Sequence, residues 1–115
     1  MSTDAIDVVR RFNEAWGAHD LDATLAMMTD DARFESTGPF PDGVVHIGHD
    51  AIRAAWADIF ANTDSRFIEE ETLPAGDDAV VFRWTYDWGT GHIRGIDLFK
   101  VRDGKVSEKL SYVKG

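Results

Sequence analysis

The stretch Ala79 to Trp88 constrains the fold more than any other. Val80, Phe82, Trp84, Tyr86 and Trp88 alternate there with Val81, Arg83, Thr85 and Asp87. A period of two puts the large apolar side chains on one face of a strand and the polar ones on the other. So many bulky residues on one face must be covered by a second layer, because leaving them in water forfeits the free energy of burying them. Further strands flank this one. Arg66 to Leu73 precedes it and ends at Pro74-Ala75-Gly76-Asp77-Asp78. Ile93 to Arg102 follows the turn Gly89-Thr90-Gly91, and Val106 to Val113 follows Asp103-Gly104. Asp-Gly suits a two-residue hairpin because both positions must tolerate positive φ. Strands in unbroken succession joined by such turns imply an antiparallel sheet.

The covering layer lies in the first half. Asp4 or Thr3 is expected to cap a helix in which Val8, Val9, Phe12, Ala15 and Trp16 recur at helical spacing, ending at Gly17-Ala18-His19. Asp20 caps a second, short helix carrying Leu21, Leu25 and Met28, which Thr29-Asp30-Asp31 stops. Ala32 to Glu35 is a short strand. Ser36 to Gly48, with Gly38, Pro39, Pro41, Gly43 and Gly48, is expected to be a loop and the most mobile part of the chain. A third helix starts near Asp50 and runs to about Ala61, with Ile52, Ala55, Trp56, Ile59 and Phe60 on one stripe. The expected class is α+β, with three N-terminal helices on one face of an antiparallel sheet, in one domain spanning residues 1–115.

Composition excludes several functions. The chain has no cysteine, so it has no disulfide scaffold, thiolate metal site or cysteine nucleophile. Its net charge of −9 disfavours a phosphate backbone as partner. No apolar run approaches the ~18 residues needed to cross a bilayer. Met1 to Asp7 lacks the pattern of a secretory signal, so a cytoplasmic location is expected. No phosphate-binding or dinucleotide glycine motif and no nucleophile elbow occurs, and no cofactor is expected. His46 and His49, with Asp50, lack the spacing of a metal site. Glu69-Glu70-Glu71 is expected on a solvated edge strand, where charge discourages edge pairing.

The helical aromatics Phe12, Trp16, Trp56 and Phe60 are placed to meet the aromatic strand face. The result is either a filled core or a ring-lined cavity, in which a ligand would satisfy the polar atoms of Trp and Tyr. Asp97 shares a face with Ile93, Phe99 and Val101. Facing inward, it must either pair with a cation or have its pKa raised by desolvation, which would make it a proton or hydrogen-bond donor. The other reading has Asp97 facing outward, or paired with a lysine or arginine of a neighbouring strand. Lys109 and Ser111 share a face of the last strand, and alternation alone leaves open whether that face lines a pocket.

Val8-Val9-Arg10-Arg11-Phe12-Asn13-Glu14-Ala15-Trp16, His19-Asp20-Leu21-Asp22 and Asp30-Asp31-Ala32 together resemble the opening of the nuclear transport factor 2-like superfamily. Gly48-His49-Asp50-Ala51-Ile52-Arg53 resembles the start of its third helix. Ile96-Asp97-Leu98-Phe99 and Asp103-Gly104-Lys105-Val106 resemble its last hairpin. The nearest branch is that of the SnoaL-like polyketide cyclases and steroid delta-isomerases. The resemblance covers nearly the whole chain. It implies a cystatin-like α+β roll: a strongly curved antiparallel sheet wrapped around three helices into a cone, with a pocket at its open end. It also implies a homodimer through the outer sheet face.

The resemblance implies chemistry only residue by residue, because this fold hosts many functions. Of the three steroid-isomerase groups, the helix tyrosine corresponds to Phe12 and the proton-abstracting aspartate to Ser36. Only the mid-strand aspartate, Asp97, is kept. The arginine of the epoxide-hydrolase branch corresponds to Gly95, and Arg94 should face the other way. The polyketide cyclases imply Asp97 as acid/base, with His46, His49 or His92 as a partner. Glu35 should face away from the pocket. The expectation is therefore a small-molecule-binding domain acting as a cofactor-independent cyclase, isomerase or lyase on an apolar or polycyclic substrate. Asp97 is the candidate catalytic residue, and Phe12, Trp16, Phe34, Trp56, Phe82, Trp84 and Tyr86 are the candidate substrate-binding residues. The alternatives are a non-catalytic binder of the same shape, which the loss of the base at Ser36 favours, and a dimeric interaction module.

Overall fold

A computed structural model describes residues 4–115. Thr3, one of the two expected helix caps, lies outside the described residues, and Asp4 takes the N-cap position. The elements are α1 (Ala5–Gly17), α2 (Leu21–Ala26), β1 (Met28–Glu35), β2 (Val45–Ile47), α3 (His49–Ala61), β3 (Arg66–Pro74), β4 (Ala79–Asp87), β5 (His92–Arg102) and β6 (Lys105–Val113). Among the described residues, no helix is long and apolar enough to cross a membrane.

The strands form one curved, unclosed six-stranded sheet in the order β2-β1-β6-β5-β4-β3. The run β3 to β6 is antiparallel throughout, as the turn residues require. Asp103 and Gly104 both have positive φ, 55° and 75°, as a two-residue hairpin demands. The helices cover one face. Val8, Val9 and Phe12 of α1 and Ile52 and Trp56 of α3 are fully buried against Val80, Phe99 and Val106 of the sheet. Each such side chain contributes ~1.5–3 kcal/mol by leaving water.

Two expectations need correction. The second helix ends at Ala26, so Met28 is not on it, and Thr29-Asp30-Asp31 does not act as its stop but lies inside β1, which begins at Met28 and pairs in parallel with β6. Met28 and Ala32 are fully buried while Asp30 and Asp31 stay exposed, and Asp31 is ion-paired with Arg102. A neighbouring strand and two buried anchors thus override poor local strand propensity. Ser36 to Gly48 is not all loop either, since Val45–Ile47 forms β2, antiparallel to β1. The turn between them is tied at its base by Ser36, whose backbone N–H donates to the Val44 carbonyl at 3.0 Å. Gly43 has φ +70°, and a Cβ there would lie 1.9 Å from the Ser36 carbonyl oxygen, so no other residue fits this turn.

Candidate ligand cavity and its buried ion pair

The curvature of the sheet leaves a cavity of about 360 Å³ between the inner face, α1, α3 and the β1–β2 turn. That lies within the range of small-molecule sites. Trp16, Phe34, Trp56, Phe67, Trp84 and Tyr86 form its wall, and Ser36, His46, Ile93, Lys109 and Ser111 also line it. The rings pack mainly edge to face: Trp16 on Trp56 at 4.7 Å, Phe34 on Trp56 at 5.1 Å, Phe67 on Trp84 at 5.2 Å. Phe67 and Tyr86 stack at 4.5 Å.

Five of the seven expected wall residues (Trp16, Phe34, Trp56, Trp84 and Tyr86) meet in this cavity. Two do not. Phe12 is fully buried against Phe99 and Trp56 and belongs to the solid core. Phe82 lines a second cavity, described below. A register effect explains Trp84. It lies opposite Gly95 across β4 and β5, and a Cβ on Gly95 would come within 2.4 Å of the indole. The missing side chain at Gly95 is what leaves room for the Trp84 ring.

Asp97 faces inward, is 3 % exposed, and is paired. Its Oδ2 lies 3.0 Å from the Nζ of Lys109, itself 6 % exposed. The register accounts for this: Asp97 is directly opposite Ser111, and Phe99 opposite Lys109, so Asp97 and Lys109 are diagonal neighbours on one face. The lysine stem spans that diagonal. Its ammonium also donates to Ser111 Oγ at 3.2 Å. The rings of Trp16 and Phe34 lie 4.8 and 5.2 Å from Nζ, with Phe99 and Trp56 slightly farther off. A carboxylate, a hydroxyl and ring faces together offset the cost of taking the ammonium out of water. The structure gives the alternative reading of Asp97, paired with a lysine of a neighbouring strand, rather than an unpaired proton donor.

Hydrogen-bond accounting then fixes what the cavity lacks. A lysine ammonium has three donors, and Asp97 and Ser111 take two of them. Ser111 Oγ accepts from Lys109, which leaves its own proton to donate. Trp56 and Trp84 Nε1 are buried without a partner among the described residues. At Lys109 and Ser111, on the cavity wall, the free capacity is therefore donor capacity. Ser36 cannot stand in for the lost base, because its hydroxyl donates to the Gly38 carbonyl at 2.7 Å and accepts from Val44 N–H at 3.0 Å.

The histidines separate clearly. His46 stacks on Phe34 with centroids 5.7 Å apart, at the cavity. His49 Nε2 instead bonds the carbonyls of Met28 and Thr29, and His92 is exposed. Glu35 faces the turn side, away from the ring-lined cavity. On the outer face, Arg94 pairs with Glu70 at 2.6 Å and Arg83 with Glu71 at 2.8 Å, across the edge strand β3. The Arg94 guanidinium holds the Glu70 carboxyl well below its ordinary range, at about 2. Among the described residues no group of three or more His, Asp or Glu side chains gathers as a metal site would require. Lys109 and Ser111 are the site residues that sequence reasoning left undecided. The available signal was their shared face on β6.

Residues 9–109 match the family model described as the SnoaL-like domain. No curated protein matches the sequence. Among solved structures, the chain is 36 % identical to an NTF2-like protein from Mesorhizobium loti, with a TM-score of 0.84 over 95 % of this chain and 89 % of the other. A Mycobacterium tuberculosis protein in complex with estradiol-17β-hemisuccinate is 24 % identical, with a TM-score of 0.79 over 97 % and 94 %. TerC, co-crystallised with polyporic acid, is 20 % identical, with a TM-score of 0.78 over 98 % and 92 %. The last two likenesses are of fold.

Proposed function

The chain belongs to the SnoaL-like domain family, and on that footing we propose that it binds a small, apolar, ring-containing molecule through a carbonyl or anionic oxygen. One observation carries this reading: the cavity is walled by rings, and Lys109 and Ser111 on its wall each keep an unspent donor. An acceptor oxygen on the ligand would take the third proton of Lys109 and the hydroxyl proton of Ser111. Trp16, Phe34, Trp56, Trp84 and Tyr86 would hold the rings. Asp97 acts through Lys109 as a positioning residue that compensates its charge. That solved relatives of this fold hold estradiol-17β-hemisuccinate and polyporic acid supports the ligand class.

Turnover is the second reading, and the charged pair buried at the cavity favours it. A bound ketone would lose an α-proton to His46, the electron pair would move onto the carbonyl oxygen, and Lys109 would stabilise that oxyanion. In a β,γ-unsaturated ketone, return of the proton from His46 at the γ-carbon completes a cofactor-free isomerisation; in a diketone, attack of the enolate carbon on the second carbonyl gives an alkoxide that takes the proton back from His46 and completes a cyclisation. Asp97 would hold Lys109 in place and compensate its charge, taking no proton itself. The proposal includes a homodimer through the outer sheet face, where Ile47, Ile68 and Tyr112 are exposed. Sedimentation as a monomer would remove that part.

The test is a titration followed by tryptophan fluorescence, using estradiol-17β-hemisuccinate, polyporic acid and aromatic ketones beside their parent hydrocarbons. Ligands with an acceptor oxygen should bind tighter than the hydrocarbons by about 10–100-fold, the worth of a hydrogen bond to a charged donor. Equal affinity for the two sets would overturn the reading. Turnover is tested by product formation and by its loss in His46→Gln, with that variant's Tm checked against the parent.

A further inference from the structure

Asp97 does not line the ring-walled cavity. It lines a second one, of about 320 Å³, between α1 and strands β3 and β4. Trp16, Phe67 and Lys109 border both cavities, so the ion pair sits in the partition, with Lys109 on both sides and Asp97 on one. The two spaces differ in chemistry. The second holds three carboxylates, Glu14, Glu69 and Asp97, and the amide of Asn13, against the cations Arg10 and Lys109. Lys109 is already committed to Asp97. Asp97 is 3 % exposed and its Oδ1 is buried with no hydrogen-bond partner among the described residues. A buried, unmatched carboxylate oxygen is costly and calls for a donor.

We propose that this second cavity is a separate subsite for a small organic ammonium, whose N–H donates to Asp97 Oδ1 and whose positive charge lies among Glu14 and Glu69. The walls suit such a group. Trp16, Phe67 and Phe82 present ring surface to the alkyl or aryl part, and rings also attract a cation. The partition makes the two sites chemical opposites. One takes an acceptor oxygen at Lys109, and the other takes a donor nitrogen at Asp97. The assignment goes beyond the function proposed for the first cavity and stands without it.

The test titrates the full chain with benzylammonium chloride, with benzyltrimethylammonium chloride and benzyl alcohol as controls, at constant ionic strength, and follows amide and indole NMR shifts. Benzylammonium should saturate, with shifts at Asn13, Thr72 and Phe82 and none at Ser36 or Val44. The quaternary analogue, which has charge but no N–H, and the neutral alcohol should each bind about tenfold weaker or less. Glu14→Gln/Glu69→Gln, which removes the two flanking charges, should weaken ammonium binding about tenfold while leaving fluorescence titrations of the first cavity unchanged. Equal binding of the quaternary analogue, shifts centred on the first cavity, or no saturation below about 0.1 M, where bulk ionic effects take over, would each overturn the proposal. Loss of ketone binding with ammonium binding intact would instead count against the first site alone.

Discussion

Removing one member of the Asp97–Lys109 pair should cost far more than removing both. The side chains of Lys109 and Asp97 are 8 % and 4 % exposed, so solvent screens neither. Lys109→Met strands a buried carboxylate, and Asp97→Asn strands an ammonium among rings. Each should destabilise the fold by about 3–5 kcal/mol. For a chain of this length, a loss of 1 kcal/mol lowers Tm by about 4 °C, so each single variant should melt about 12–20 °C lower. The double variant Asp97→Asn/Lys109→Met places a neutral amide and a thioether of similar volume in the same space. It should recover to within about 1–2 kcal/mol of the parent. Urea denaturation of all four proteins gives the coupling energy directly. If the double variant loses the sum of the two single losses, the two groups do not act as a pair and the description of the site fails. Ligand binding supplies a second readout from the same proteins. The double variant should stay folded yet lose acceptor-oxygen ligands by about 10–100-fold, because the donor is gone.

Other outcomes follow from single contacts. Gly95→Ala should push the Trp84 indole off the sheet, since the new Cβ meets it at 2.4 Å and the Tyr112 carbonyl at 2.5 Å. A loss of about 1–3 kcal/mol and a changed tryptophan emission spectrum are expected. Gly43→Ala should open the β1–β2 turn, because its Cβ would overlap the Ser36 carbonyl, and the amide of Ser36 should lose hydrogen-exchange protection. The Glu70 carboxyl is held at about 2 in the fold against 4.5 ordinarily. Its pairing therefore stabilises the fold fully above the ordinary value, and that stabilisation is lost as pH falls toward about 2. Arg94→Met should lower the urea midpoint at pH 6 and converge with the parent near pH 2. A gap between the two that persists at pH 2 would show that the pairing is not responsible.

The β4 alternation, the Asp103-Gly104 turn and the stripes of α1 and α3 were legible in the sequence because each is a local pattern with one geometric solution. β1 was legible only in its second half. Thr29-Asp30-Asp31 reads as a turn until β6 is known to lie beside it. The apolar companions of Asp97 left open whether it faced inward, and its partner was not named. That Lys109 meets Asp97 depends on the β5–β6 register, with Phe99 opposite Lys109. The division of the interior into two cavities depends on where the Trp16, Phe67 and Lys109 side chains end, which no periodicity carries. Phe12 shows the converse limit. A ring at helical spacing reads the same whether it closes the core or walls a cavity.

Lys109, held by Asp97, is proposed to present a donor to a ligand oxygen inside the ring-walled cavity. A crystal structure of the chain with a bound aromatic ketone or carboxylate tests it most directly. The ligand rings should lie between Trp16, Trp56 and Trp84, with an oxygen within hydrogen-bond distance of Lys109 Nζ. A ligand lodged at the mouth with its oxygen turned away from Lys109, or a cavity closed by its own side chains, would contradict it.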